Sequence, residues 1–325
     1  MVEVKALTKL AKTLYNNTEF EYNEVSGDEA MRNIVKEAVG GEFNYYNWQR
    51  HKYDVFEIMK TTIDAVVPQI ITNQFDSLAD VRSVATGDKP HFEVEDPRLL
   101  RVGLVSAGNT DTRRQTIGKK SFTVDTDWYD VKVYAEFEAF LAGNINWRSL
   151  CDRVAKSFTN AMGTQIYTSF QAGYDLLRTN VKATGAFELE QLINIAEHLR
   201  VQTGRDVDVY GTANALRQVT KVANMSDGMK DEANRVGYLA TVAGLNLNVL
   251  PQAYKASTEE FALNDKSLLV LPKGEKIVSI VLEGQAIVDE PDNMTRNDMQ
   301  LGFQTQKKYG LQVAQLAHYG LYNIA

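Results

Sequence analysis

Apolar residues recur every three or four positions over some stretches of this chain and every second position over others. These two periods separate helical from extended segments. Val4, Leu7, Leu10, Ala11 and Leu14 step at helical spacing, as do Met31, Ile34, Val35 and Ala38 before the Gly40-Gly41 stop. A longer helix is expected from about Tyr46 to Val67, with Val55, Ile58, Met59, Ile63 and Val66 on one face and Pro68 ending it. The first of these helices has little company in sequence and is marginal alone in water, so it is expected to be an arm lying on a neighbour.

From Phe75 to about Phe140 the character changes, and Thr86-Gly87-Asp88-Lys89-Pro90 and Ser106-Ala107-Gly108-Asn109 are turn signals. Phe122, Val124 and Trp128 alternate on even positions, whereas Tyr129, Val131, Val133, Ala135 and Phe137 alternate on odd ones. One extra residue near Trp128-Tyr129, a β-bulge, accounts for the change of phase. The economical reading is a long hairpin with a polar, flexible tip over roughly Arg98 to Lys120. That tip carries Arg101, Arg113, Arg114, Lys119 and Lys120.

Asn146 is placed to cap a long amphipathic helix whose stripe is Trp147, Leu150, Cys151, Val154, Phe158, Ala161, Met162, Ile166 and Phe170. About 25 residues at about 1.5 Å each make a spine of roughly 37 Å. Mixed structure follows. A helix through Leu189, Leu192, Ile193, Ala196 and Leu199 ends at Thr203-Gly204, and a strand is expected at Val207 to Tyr210. Another helix carries Leu216 and Val219, and a strand from Leu245 to Val249 stops at Pro251. Ser267 to Leu271, the turn Pro272-Lys273-Gly274 and Ile277 to Leu282 suggest a hairpin, and a last extended segment runs from about Met299 past Val313. The class is α+β, without a repeat at a solenoid or propeller period.

Charge narrows the choice of partners. With 35 Lys and Arg against 42 Asp and Glu, the formal net charge is −7. A duplex-gripping surface needs a basic excess to neutralise phosphates, so a DNA-binding module is not indicated, although the chain could enclose nucleic acid without adhering to it. No apolar run approaches the roughly 20 residues that cross a bilayer, and the start has no secretory apolar core. The lone Cys151 has no intrachain disulfide partner, in keeping with assembly in a reducing cytoplasm.

Candidate chemistry is sparse. His51, His91, His198 and His318 are scattered without a partner at metal-ligand spacing, and solvated or structural histidine is the reading. Cys151 lies on the apolar stripe of the spine helix and reads as core. Val209-Tyr210-Gly211-Thr212-Ala213-Asn214 has a strand-turn-helix look but no glycine pattern for a phosphate cradle, so Thr212 or its neighbour is expected to be an N-cap. Asp125, Asp127, Glu136 and Glu138 sit on an alternating pattern as a solvated or intersubunit face. No catalytic, metal or cofactor site is expected. The basic residues of the tip remain, either as a solvated loop or as a hook for a neighbour's acidic surface.

The order of these elements, helical arm, long hairpin, long spine helix, mixed α/β lobe and terminal strands, resembles the major capsid protein of tailed double-stranded DNA phages (the Hong Kong-type phage capsid fold). The segment Phe303-Gln304-Thr305-Gln306-Lys307-Lys308-Tyr309-Gly310-Leu311-Gln312-Val313 is similar to that family's late P-domain strand, where a basic residue precedes an aromatic or apolar residue, Gly and alternating apolar positions. The resemblance implies an N-terminal arm over 1–45, P-domain parts over 46–74, 143–185 and 263–325, an E-loop over 75–142 and an A-domain over 186–262. It further implies self-assembly as pentamers and hexamers into an icosahedral shell around packaged DNA, with each E-loop lying across the adjacent subunit. Arg101, Arg113, Arg114, Lys119 and Lys120 are then candidate intersubunit contacts. A portal and a decoration protein are further partners of such a shell. The chain leaves no room for an N-terminal scaffolding region, so a separate scaffolding protein is expected. Lys119 and Lys120 lie where some family members form an isopeptide bond, but no pattern identifies a partner and no crosslink is expected. Alternatives are an encapsulin-like nanocompartment shell, a soluble α/β enzyme, and a phage tail or accessory protein.

Overall fold

The computed structural model describes residues 27–41, 44–76, 78–95, 99–105, 107, 114–136, 147–222, 226–255, 258–290, 300–314 and 318–324. The helix expected over Val4 to Leu14 and the cap expected at Asn146 lie outside them. In chain order the elements are α1 (Gly27–Ala38), α2 (Tyr45–Phe75), β1 (Ala79–Val84), β2 (His91–Glu95), β3 (Lys119–Thr123), β4 (Asp127–Glu136) and α3 (Trp147–Ala172). There follow β5 (Lys182–Gly185), α4 (Leu189–Thr203), β6 (Val207–Gly211), α5 (Ala213–Val222), α6 (Asp227–Val236), β7 (Thr241–Val242) and β8 (Leu245–Val249). The chain closes with β9 (Ser267–Pro272), β10 (Val278–Asp289), β11 (Gln300–Val313) and β12 (Gly320–Ile324). They group into two units, one of Met1–Pro90, Val124–Met162 and Ile280–Leu311, the other of His91–Thr123, Gly163–Ser279 and Gln312–Ala325.

In the first unit Asn44 caps α2 by accepting from the Asn47 N–H at 2.8 Å. The helix runs through Pro68 to Phe75 instead of ending there. An interior proline removes the bond to the carbonyl four residues back, here Asp64, and costs about 3 kcal/mol. Beyond it Ile70, Ile71 and Phe75 are buried, each contributing about 1.5–3 kcal/mol, so packing outweighs the local rule. Trp48 and Phe56 meet Phe303 of β11 edge-on, with centroids 6.2 and 6.1 Å away, in a cluster that also holds Val35, Val39, Met59 and Cys151. The sheet of this unit has the order β1-β10-β11-β4. On β11 alternate residues Phe303, Thr305, Lys307 and Tyr309 are buried, and Tyr129 of β4 stacks on Tyr309 at 4.0 Å.

Two further expectations fail. The extended run around residues 122–137 is not one bulged strand: β3 ends at Thr123 and pairs with β2, while β4 starts at Asp127 and pairs with β11. The phase change marks the break between strands. Nor do β9 and β10 form a hairpin; β9 lies between β12 and β6 in one sheet and β10 between β1 and β11 in another.

The second unit is built on a six-stranded mixed sheet, β5-β12-β9-β6-β8-β7. Leu192, Ile195, Ala196 and Leu199 of α4 and Ala215, Leu216 and Val219 of α5 share one core with Val207, Val209, Leu247, Leu268, Val270 and Tyr322 from the strands. Leu269 and Leu271 are buried as well, so β9 is covered on both faces. Gly204 closes α4 in the left-handed region at φ 67°, its N–H on the Arg200 carbonyl at 2.7 Å. Thr212 caps α5 as expected, accepting from the Ala215 N–H at 3.3 Å.

Candidate functional site

The candidate site is the β2–β3 hairpin. Its strands pair antiparallel from His91 opposite Thr123 to Glu95 opposite Lys119, and Phe92 stacks on Phe122 at 5.9 Å. Beyond the strands, Gln115 takes the place of a strand partner for Arg101. Its Oε1 accepts from the Arg101 N–H at 2.9 Å, and its Nε2 donates to the Arg101 carbonyl at 2.7 Å. Leu99 is tied to α4, its N–H on the Gln202 carbonyl at 3.3 Å and its side chain over Gly204.

This arrangement presents an apolar strip. Leu100 is 56% exposed, Val102 99% and Leu104 106%, in a run, 99–105, that belongs to no strand and is exposed at every position. Ile117 on the returning segment is exposed too. The tip is thus not the polar one its sequence suggests. Its alternation at 100, 102 and 104 was the available signal, obscured by Arg101 and Gly103 between.

Of the basic candidates, Arg101 and Arg114 are exposed beside the strip. Lys119 and Lys120 are exposed but belong to β3 and not to the tip, where the strand's pleat sends their side chains to opposite faces. Arg113 lies outside the described residues.

At the base of the hairpin, within the first unit, the outgoing segment (85–90) and the returning one (124–126) converge on β10. Glu283, buried on that strand, accepts from the Gly87 N–H and from Lys308 Nζ, both at 2.8 Å, and from the Thr126 hydroxyl. Lys308, Thr126 and Gly87, in that order of effect, pull its carboxyl down to about 2. Lys89 and Asp125 form an exposed pair at 2.8 Å between the two segments, which lowers Asp125 and raises Lys89.

Elsewhere the chemistry is structural. Among the described residues no group of His, Cys, Asp or Glu is arranged to hold a metal. His51 sits 3.3 Å from Asp54 on exposed helix surface. Burial, with Asp152 adding to it, pushes the Cys151 thiol up to about 12, the state of an inert core cysteine. Among the described residues no helix is long and apolar enough to cross a membrane.

Solved structures share the fold of this chain. The mature capsid of bacteriophage PhiM1 is 10% identical, with 77% of this chain covering 86% of that one at a TM-score of 0.50. The capsid of cyanophage P-SCSP1u is 12% identical over 77% and 88%, also at 0.50, and the native GTA particle capsid is 15% identical over 78% and 90%, again at 0.50. The fold is therefore that of phage capsid subunits. No curated protein sequence matches the chain. The family described as "SPbeta prophage-derived putative capsid protein YonB" matches residues 4–312, and the chain belongs to it. That membership makes the chain a structural component of a phage capsid shell and not an enzyme.

Proposed function

We propose that this chain is the major subunit of an icosahedral shell, assembled as pentamers and hexamers around packaged double-stranded DNA, and that each copy hooks its neighbour through the β2–β3 hairpin. The carrying observation is the strip of Leu100, Val102 and Leu104, which is exposed on its own chain. Burying each such side chain against another copy contributes about 1.5–3 kcal/mol, repeated at every contact of the shell. Arg101, Arg113, Arg114, Lys119 and Lys120 are the proposed contacts to the acidic surface of a neighbouring chain, each copy having a net charge of −7. The same charge limits adhesion of the inner wall to packed duplex.

In this reading residues 1–45 are the arm, 46–74, 143–185 and 263–325 the P-domain, 75–142 the E-loop and 186–262 the A-domain. A separate scaffolding protein directs closure, a portal occupies one vertex, and a decoration protein binds outside. The test is electron microscopy of the chain expressed alone and with neighbouring reading frames, beside the double variant Val102→Asp, Leu104→Asp. Closed shells containing nucleic acid are expected from the parent, and folded but unassembled subunits from the variant. Normal shells from the variant would remove the hook, and shells that enclose protein in place of DNA would overturn the genome-packaging role.

A further inference from the structure

The base of the hairpin is built more carefully than a passing connection needs. Glu283 belongs to neither segment there, yet it bonds both: the Gly87 N–H on the outgoing side at 2.8 Å and the Thr126 hydroxyl on the returning side. Oε1 takes Gly87 and Lys308 while Oε2 takes Thr126, so both oxygens of one carboxylate are used. The strands beside it are cleared for the same purpose. A Cβ at position 284 would stand 2.4 Å from Thr86 Oγ1, and one at position 310 would stand 2.0 Å from the Asp125 carbonyl oxygen. Gly284, at φ 66°, and Gly310 thus let the two segments lie directly against β10 and β11.

We infer that Glu283 is the positioning residue that anchors on the sheet the two segments flanking the hairpin, so that the chain enters and leaves the hairpin from fixed points. The inference rests on the shell-forming reading above. Its physical content is preorganisation: a hook on loose ends loses freedom at every contact it makes, whereas an anchored one has lost it already on folding. Only the Thr126 and Gly87 bonds serve this role. The Lys308 bond joins β11 to β10, inside the sheet, and stabilises without touching the hairpin's ends.

Three variants separate the roles. Thr126→Val removes the returning anchor at nearly constant shape, Thr126→Ser restores the hydroxyl, and Lys308→Met removes only the bond within the sheet. In the unassembled chain Thr126→Val is expected to speed amide exchange at residues 124–126 by at least about tenfold. In assembly reactions it should cut the fraction of closed shells by at least about tenfold, with Thr126→Ser behaving as the parent. Lys308→Met should lower the unfolding temperature and still close shells. Parent-level closure by Thr126→Val overturns the inference, as does failure of Lys308→Met to the same degree, which would make the network stabilising only. If the parent itself never forms shells, the shell reading is what fails. The exchange measurement on the unassembled chain then still decides the anchor.

Discussion

Lys307 lies buried on β11 with its ammonium 2.5 Å from Asp64 on α2 and 3.1 Å from the Gly284 carbonyl. Asp64 in turn accepts from the Ala286 N–H of β10, so a single carboxylate ties a helix to two adjacent strands. Lys308 of β11 pairs with Glu283 of β10, and Lys52 of α2 with Glu290 just past the end of β10, each with the carboxylate side chain 3% exposed. These ion pairs link α2, β10 and β11 to one another where each carboxylate or ammonium is largely withdrawn from water.

Breaking one of these ties leaves a charge with little water to turn to. Lys307→Met is expected to cost about 3 kcal/mol, the low end for a buried pair because Asp64 keeps 22% exposure and its Ala286 bond. Adding Asp64→Leu should recover part of that loss. Urea unfolding of the unassembled subunit reads both, and a double variant no better than the single one would contradict the ion-pair account.

Glu283 predicts a pH window. Its carboxyl is held at about 2 in the folded chain against an ordinary glutamate of 4.5. The stability it contributes is therefore fully present above about 4.5 and is lost as pH falls toward about 2. Unfolding midpoints taken through that range should fall less steeply in Glu283→Gln than in the parent. Parallel curves would mean other carboxylates carry the acid response.

Pro68 sits inside α2 at a cost that packing tolerates. Pro68→Ala returns an N–H to the Asp64 carbonyl and should raise stability by about 1–3 kcal/mol, with part of the gain offset by a freer unfolded chain. A fall in the thermal midpoint would show that the ring's own packing matters more.

Cys151 should be silent in the folded chain. With its thiol buried and pushed up to about 12, a disulfide reagent at neutral pH should react at least about a hundredfold more slowly with native than with denatured protein. Rapid native labelling would place the helix face that carries it in water.

Much of this fold was legible because its local signals agreed with its tertiary contacts. The stripe at Leu192, Ala196 and Leu199 is the face of α4 that packs on the sheet, and Thr203-Gly204 ends the helix as its residues require. Failures came where distant contacts decided. Pro68 reads as a stop only until Ile70 and Ile71 are known to be buried. Pro272-Lys273-Gly274 reads as a hairpin turn, but the unbroken apolar run Leu268–Leu271 already marked a strand covered on both sides, which an edge-sharing hairpin would not need. The base of the hairpin was the least legible part. Nothing local joins Glu283 to Gly87 and Thr126, which lie 196 and 157 residues away in the chain.

The position of β12 has a consequence in time. This strand lies between β5 and β9, with Leu321 opposite Lys182 and Leu269, so an interior place in the six-stranded sheet is filled by a segment synthesised after both neighbours. At about 5–20 residues per second, the ribosome makes β12 roughly 7–28 s after β5. Until β12 emerges, β5 and, once it has been made, β9 each keep an open strand edge on the nascent chain. A subunit therefore cannot finish this lobe until translation has passed β12, and a chain stalled before that point offers open edges to aggregation or to a chaperone.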